Sequence, residues 1–209
     1  MSRSSGPRIK REAKPKDSYH HGNLREALVT AALALLDEDG IEAVTIRAVA
    51  RRAGVTHAAP ANHFRDRRAL LTALAAEIFA GLRTDIDRKL GGAGPELEAR
   101  LRVFAQAMLR FGLAAPNRYR LIWRWDALDG KDPALATAMD GIYDRLIGEL
   151  SAGARADFDP HTRAIALWSM VHGYVSMRIE GNLLAGRDKL SGEPREVAIV
   201  SAILRGLGA

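Results

Sequence analysis

The sequence predicts an all-α protein, with an N-terminal helix-turn-helix unit followed by a helical bundle. Three observations predict it. Apolar residues recur at three- and four-residue steps in segment after segment, the spacing of one helix face. The stretch TIRAVARRAGVTHAAPANHF, residues 45–64, reads as two short helices about a glycine turn. No alternation of apolar and polar residues is long enough for a strand, and there is no internal repeat or low-complexity tract.

Residues 1–18 are polar and are broken by Gly6, Pro7 and Pro15, so they read as a basic arm. Its cations are Arg3, Arg8, Lys10, Arg11, Lys14 and Lys16. A first helix follows, with Leu24, Leu28, Ala31, Ala32, Leu35 and Leu36 on one side and Gly40 as its stop. Thr45 caps a second, which carries Ile46, Val49, Ala50 and Ala53. Gly54 and Val55 form a tight turn, and Thr56 is expected to cap a third short helix ending near Phe64. Asp66 caps a longer fourth with Leu70, Leu71, Leu74, Ile78 and Leu82.

Gly91, Gly92, Gly94 and Pro95 make the clearest break, which divides a unit over 19–90 from one over 91–209. Beyond it, Leu97, Leu101, Phe104, Met108 and Phe111 mark a helix that Pro116 ends. Leu135, Met139, Ile142 and Leu146 mark another, begun at Pro133. A long helix is expected from about Pro160 to Leu184, and a last one from about Pro194 to Leu207.

Composition narrows the function. The absence of cysteine removes disulfides, thiolate metal sites and a cysteine nucleophile. No apolar run is long enough to cross a bilayer, and no apolar segment follows the basic N-terminal residues, so a cytoplasmic protein without membrane contact is expected. The formal net charge is +6. Sixteen Lys and Arg against eleven Asp and Glu lie in the first ninety residues, so nearly all of that excess is N-terminal. A one-sided positive balance suits a polyanion, because each neutralised phosphate releases condensed counterions.

The helix-turn-helix reading gives that polyanion a geometry. The second helix of such a unit enters the major groove of double-stranded DNA. Its candidate readers are Thr56, His57, Ala58, Ala59 and Asn62: Asn can bond adenine twice, and Ala or the Thr methyl can touch a thymine methyl. Arg47, Arg51, Arg67 and Arg68 have the reach for phosphates, as do Lys14 and Lys16 from the arm. Thr45, Thr56 and Asp66 open helices whose N–H groups point outward. His63 either touches phosphate or packs beside Phe64.

In the second half, Phe104, Met108, Phe111, Trp123, Trp125, Tyr143, Trp168 and His172 are the pocket candidates, being large apolar groups with an occasional polar one. The same residues would also build a plain core. In RLIWRWD the two tryptophans are expected inward, with Arg120 and Arg124 outside. The histidines are scattered and lack zinc-ligand spacing, so no metal is expected. No phosphate loop, dinucleotide fingerprint or nucleophile elbow is present, so neither catalytic residues nor a cofactor is expected.

Residues 19–82 resemble the DNA-binding region of the tetracycline-repressor family of bacterial regulators. The stretches that carry the likeness are LREALVTAALALLDEDGIEAVTIRAVARRAGVT and HFRDRRALLTALA. LWSMVHGYVSMRIEG resembles a Trp-His-Gly type of ligand-binding domain in one branch of that family, through Trp168, His172 and Gly173. The resemblance implies a repressor that binds a palindromic operator as a homodimer, pairs through its last two helices and is released by a small-molecule effector. One position departs: the family usually has tyrosine two residues before the histidine of the His-Phe pair, and here it is Ala61. Losing that phenol removes a phosphate donor, at a cost of about 1 kcal/mol. The alternative is a ligand- or protein-binding module of the same fold that has lost specific DNA binding.

Overall fold

A computed structural model describes residues 21–153 and 159–206. Among them are eight α-helices and two short 3-10 turns. The expected positions in the basic arm, Lys14 and Lys16, lie outside the described residues.

Helix α1 (His21–Asp39) buries Leu28, Ala32 and Leu36. It stops at Gly40, whose φ of 81° with an extended ψ of −174° is a backbone conformation open to glycine. A 3-10 turn over Ile41–Ala43 leads to α2 (Ile46–Arg52), where the Thr45 hydroxyl accepts from the Ala48 N–H at 3.1 Å. The turn after α2 depends on Gly54 at φ 69°.

The third helix is shorter than the sequence suggests. Only Ala59–Asn62 form a 3-10 turn, it starts from Ala58, and Thr56 makes no capping bond. Pro60, in its first turn, is the physical reason: it lacks the N–H that an α-helix from Thr56 would use. Its buried ring anchors the turn instead, and its carbonyl accepts from His63 and Phe64, each at 2.9 Å.

Helix α3 (Arg67–Leu90) begins where the Asp66 carboxylate accepts from Ala69 N–H at 2.7 Å. At 24 residues it is roughly 36 Å long. Its first turns pack on α1, and further along it packs on α4 (Leu97–Ala114) and α6 (Pro133–Ala152). The glycine-rich break at 91–95 is therefore the turn from α3 into α4, and the buried core runs on past it.

Pro116 does more than end α4, because it opens α5 (Pro116–Ile122), a helix the periodicity did not reveal. A seven-residue helix shows too few turns to leave a pattern. Asp132 caps α6 and Asp159 caps α7 (Pro160–Ile179). Helix α7 stops five residues before the expected Leu184, and the chain reverses at Gly181, φ 80°. Helix α8 (Arg195–Gly206) packs on α4 and α7. Between α4 and α6, Arg100 grips the nearly buried Glu149 through two nitrogens, one at 2.7 Å. That bond, more than any other cause, holds the Glu149 carboxyl below its ordinary pKa.

Candidate nucleic-acid interface and effector cavities

The outward face of the helix-turn-helix is a short, polar surface. Thr56, His57, Ala58, Ala61 and Asn62 are exposed, and His63 is half-buried with its ring 6.5 Å from that of Phe64. Thr45 is exposed, but its hydroxyl is engaged as the α2 cap. Arg47 and Arg51 are exposed, and neither makes an ion pair among the described residues.

Arg67 and Arg68, also expected on phosphates, have internal partners. Arg67 donates to the carbonyls of Val44 (2.8 Å) and Ile41 (2.7 Å) and pairs with Glu42 at 3.2 Å. It thereby fastens α3 to the 3-10 turn that precedes α2. Arg68 donates to the Leu128 carbonyl at 2.9 Å through Nε. Arg52, which the sequence did not mark as a phosphate ligand, is held by both oxygens of Glu38 at 2.6 Å. A guanidinium already bonded to carbonyls has fewer donors left for phosphate. Sequence reasoning missed the bonds of Arg67 and Arg68 because their acceptors lie more than twenty residues away along the chain.

Two open cavities share Trp123 as a wall. The first, about 270 Å³, is lined by Phe79 of α3, Trp123, Trp125, residues of α6 including Tyr143, and Trp168 of α7. The second, about 450 Å³, lies against the Ile41–Glu42 connector and is lined by Tyr119, Trp123, His172 and Ser176 among others. Of the expected ligand contacts, Trp123, Tyr143 and Trp168 meet at the first cavity and His172 at the second. The structure places Phe104 and Met108 in the packed core, about a void of only 10 Å³. Phe111 is half-buried and lines a separate groove between α3 and α4. Arg120 and Arg124 point outward as expected, but only Trp123 turns inward; Trp125 is 44% exposed at the rim.

Tyr119 was not singled out by the sequence, and it organises the wall between the cavities. It is fully buried, and its hydroxyl lies 2.7 Å from His172 Nδ1. Burial pushes the phenol well above its ordinary pKa; the Trp123 indole N–H nearby, outside hydrogen-bond geometry, offsets part of this. Burial likewise holds His172 below the ordinary histidine value, with Glu180 opposing. The Trp123 ring lies 4.2 Å from that of His172 and meets Trp168 edge-on at 6.4 Å. The packing of both α5 and α7 on α4 brings Tyr119 to His172 across fifty-three residues.

The same α5 grips the DNA-binding end. Arg118 is bidentate to Asp37 at 2.8 and 2.7 Å, and Asn117 donates to the Asp37 carbonyl at 3.2 Å. After α5, Asp129 N–H donates to Thr72 Oγ1 at 2.9 Å, beside the Arg68–Leu128 bond.

A helix-turn-helix projecting from an all-helical, cavity-bearing domain defines a DNA-binding regulator of the two-domain bacterial type. The chain belongs to the tetracycline-repressor family of transcriptional regulators. Residues 28–74 match the family model described as bacterial regulatory proteins of the tetR family, and residues 101–198 match the tetracyclin repressor-like C-terminal domain. Trp168, His172 and Gly173 fall within the second match. An uncharacterised helix-turn-helix-type regulator of Mycobacterium tuberculosis is 29% identical over 75% of this chain and 71% of its own length. The class D tetracycline repressor of Escherichia coli is 38% identical over 42% of this chain, which spans only 40% of that repressor. A solved protein of unknown function from Rhodococcus sp. RHA1 is 31% identical, with a TM-score of 0.75 over 93% of this chain and all of its own. The Bacillus subtilis regulator FadR, solved with stearoyl-CoA, shares the fold at 13% identity and a TM-score of 0.66, over 87% of this chain and 96% of its own.

Proposed function

We propose that this regulator is a repressor that holds a palindromic operator as a homodimer and releases it when a small molecule fills the cavity between α3, α6 and α7. The observation that carries this reading is the double duty of α5 and the loop after it. Their inner side, Tyr119, Trp123 and Trp125, lines the cavities. Their outer side, Asn117, Arg118 and Leu128, holds the end of α1 and the start of α3. A ligand that displaces Trp123 or Trp125 pulls on the base of the helix-turn-helix. It shifts the equilibrium only by its differential affinity for the two arrangements.

The dimer reading is supported by the outer face of α7. Ile165 is 58% exposed, Met170 51% and Met177 44%, in line with the small Ser169 and Gly173. A second copy pairing its own α7 and α8 with these would form a two-fold four-helix contact and bury that strip. Ile165 and Ser169 also line the first cavity, so the partner would close its mouth. Thr56, His57, Ala58, Asn62 and His63 would then face one major groove from each copy, with Arg47, Arg51 and the arm's Lys14 and Lys16 on phosphates.

The test is fluorescence anisotropy of the protein against duplex from upstream of its own coding region, with a scrambled duplex as control, across a salt series. Selective binding that weakens with salt is expected. Equal, weak binding to both duplexes would favour the second reading, a module of this fold without specific DNA binding. That reading has its own observation: Ala61 stands where the family's tyrosine is usual, on a recognition segment reduced to one 3-10 turn.

A further inference from the structure

All three tryptophans of the chain, Trp123, Trp125 and Trp168, line the first cavity with Tyr143 and Phe79, and one charged side chain, Asp140, stands among them. Three indoles from two segments thus converge on about 270 Å³ of unfilled space. Asp140 lies one turn before Tyr143 on α6, so its carboxylate and the phenol share a helix face. It is exposed, and it makes no hydrogen bond or ion pair among the described residues. The cation on the facing helix, Arg83, lies across Gly141 and pairs with Asp87 at 3.6 Å. Asp144, one turn further along α6, is exposed too and adds to the negative potential.

The two features select the same ligand chemistry. Aromatic faces carry partial negative charge and attract a cation held over them. An unpaired carboxylate at the same place attracts it again and repels an anion. A neutral apolar molecule gains only burial from these walls, and an anion loses more than it gains. We infer that the cavity binds an organic monocation with an apolar body, with the tryptophans as its walls and Asp140 as its counter-ion. This rests on the effector reading above and names the class of effector.

Because every tryptophan lines the cavity, intrinsic indole fluorescence reports its occupancy directly. The protein is titrated with phenyltrimethylammonium, with its neutral isostere tert-butylbenzene, and with benzenesulfonate. The expected result is that the cation binds about tenfold tighter than the neutral isostere and that the anion gives no response. Asp140→Asn, an exposed change that leaves the core intact, is expected to cut the preference for the cation severalfold, the part that remains being due to the aromatic walls. Equal affinities in the native protein would overturn the cation assignment, and a preference undiminished in Asp140→Asn would overturn Asp140 as its counter-ion; either leaves the cavity standing as an effector site. No response to any of the three would overturn the cavity as well. Operator binding, measured by anisotropy on the same sample, tests the DNA reading separately.

Discussion

The Tyr119 hydroxyl of α5 and His172 Nδ1 of α7 meet at 2.7 Å inside the bundle. With Nδ1 unprotonated the phenol donates to it, which leaves Nε2 for Ser176 Oγ at 3.5 Å. Protonating the ring replaces that acceptor with a donor in a partly desolvated place. The folded histidine therefore binds protons less readily than the unfolded one, and burial is the cause. Its contribution to stability is present above the unfolded value near 6.5 and is lost as pH falls through the lower folded value. A thermal melt series from pH 8 to about pH 5 should show a falling Tm, and His172→Asn should flatten part of that slope.

Tyr119→Phe keeps the ring and removes the hydroxyl, leaving His172 Nδ1 without its partner. A loss of about 1 kcal/mol is expected. For a chain of this size that is roughly a 2–4 °C fall in Tm, measurable by calorimetry.

Gly112 on α4 is the close-approach point of α4, α5 and α7. A Cβ there would collide with Val175 Cγ1 and come within 2.9 Å of the Tyr119 ring, both of which are buried. Gly112→Ala should therefore destabilise by about 1–3 kcal/mol through overpacking, despite the better helix propensity of alanine. Unchanged denaturant midpoints would show that α5 can shift away freely.

Arg118 and Asp37 join the cavity helix to the end of α1 through two hydrogen bonds. Both side chains are more than a third exposed, so Arg118→Ala should cost less than about 1 kcal/mol of stability. Its effect should appear in coupling: operator affinity without ligand is retained, and the ligand's ability to lower it is reduced. Anisotropy with and without phenyltrimethylammonium reads this directly.

Arg47 and Arg67 are expected to separate on the DNA side. Arg47→Ala should weaken binding to all duplexes alike and lower the salt slope by roughly one. Arg67→Ala should instead lower Tm, because it breaks the bonds to Ile41 and Val44. The same anisotropy series with a parallel melt distinguishes the two.

The sequence by itself determined the helical class, the caps at Thr45 and Asp66, the start of α6 at Pro133, and the glycine stops at 40 and 54. These are local matters: each depends on residues within one turn, so spacing and residue type suffice to read them. The sequence also marked Trp123, Tyr143, Trp168 and His172 as pocket candidates, but not which cavity each would line. Tertiary structure alone decided that Phe104 and Met108 fill the core, that Trp125 stays at a rim, and that Asp140 stands beside the indoles. It alone bonded Arg67 and Arg68 to distant carbonyls and brought Tyr119 to His172. A charged or aromatic side chain has no fixed preference between surface and interior until its neighbours are known. Those neighbours come from helices far apart in the chain, and only their packing fixes which groups share a cavity.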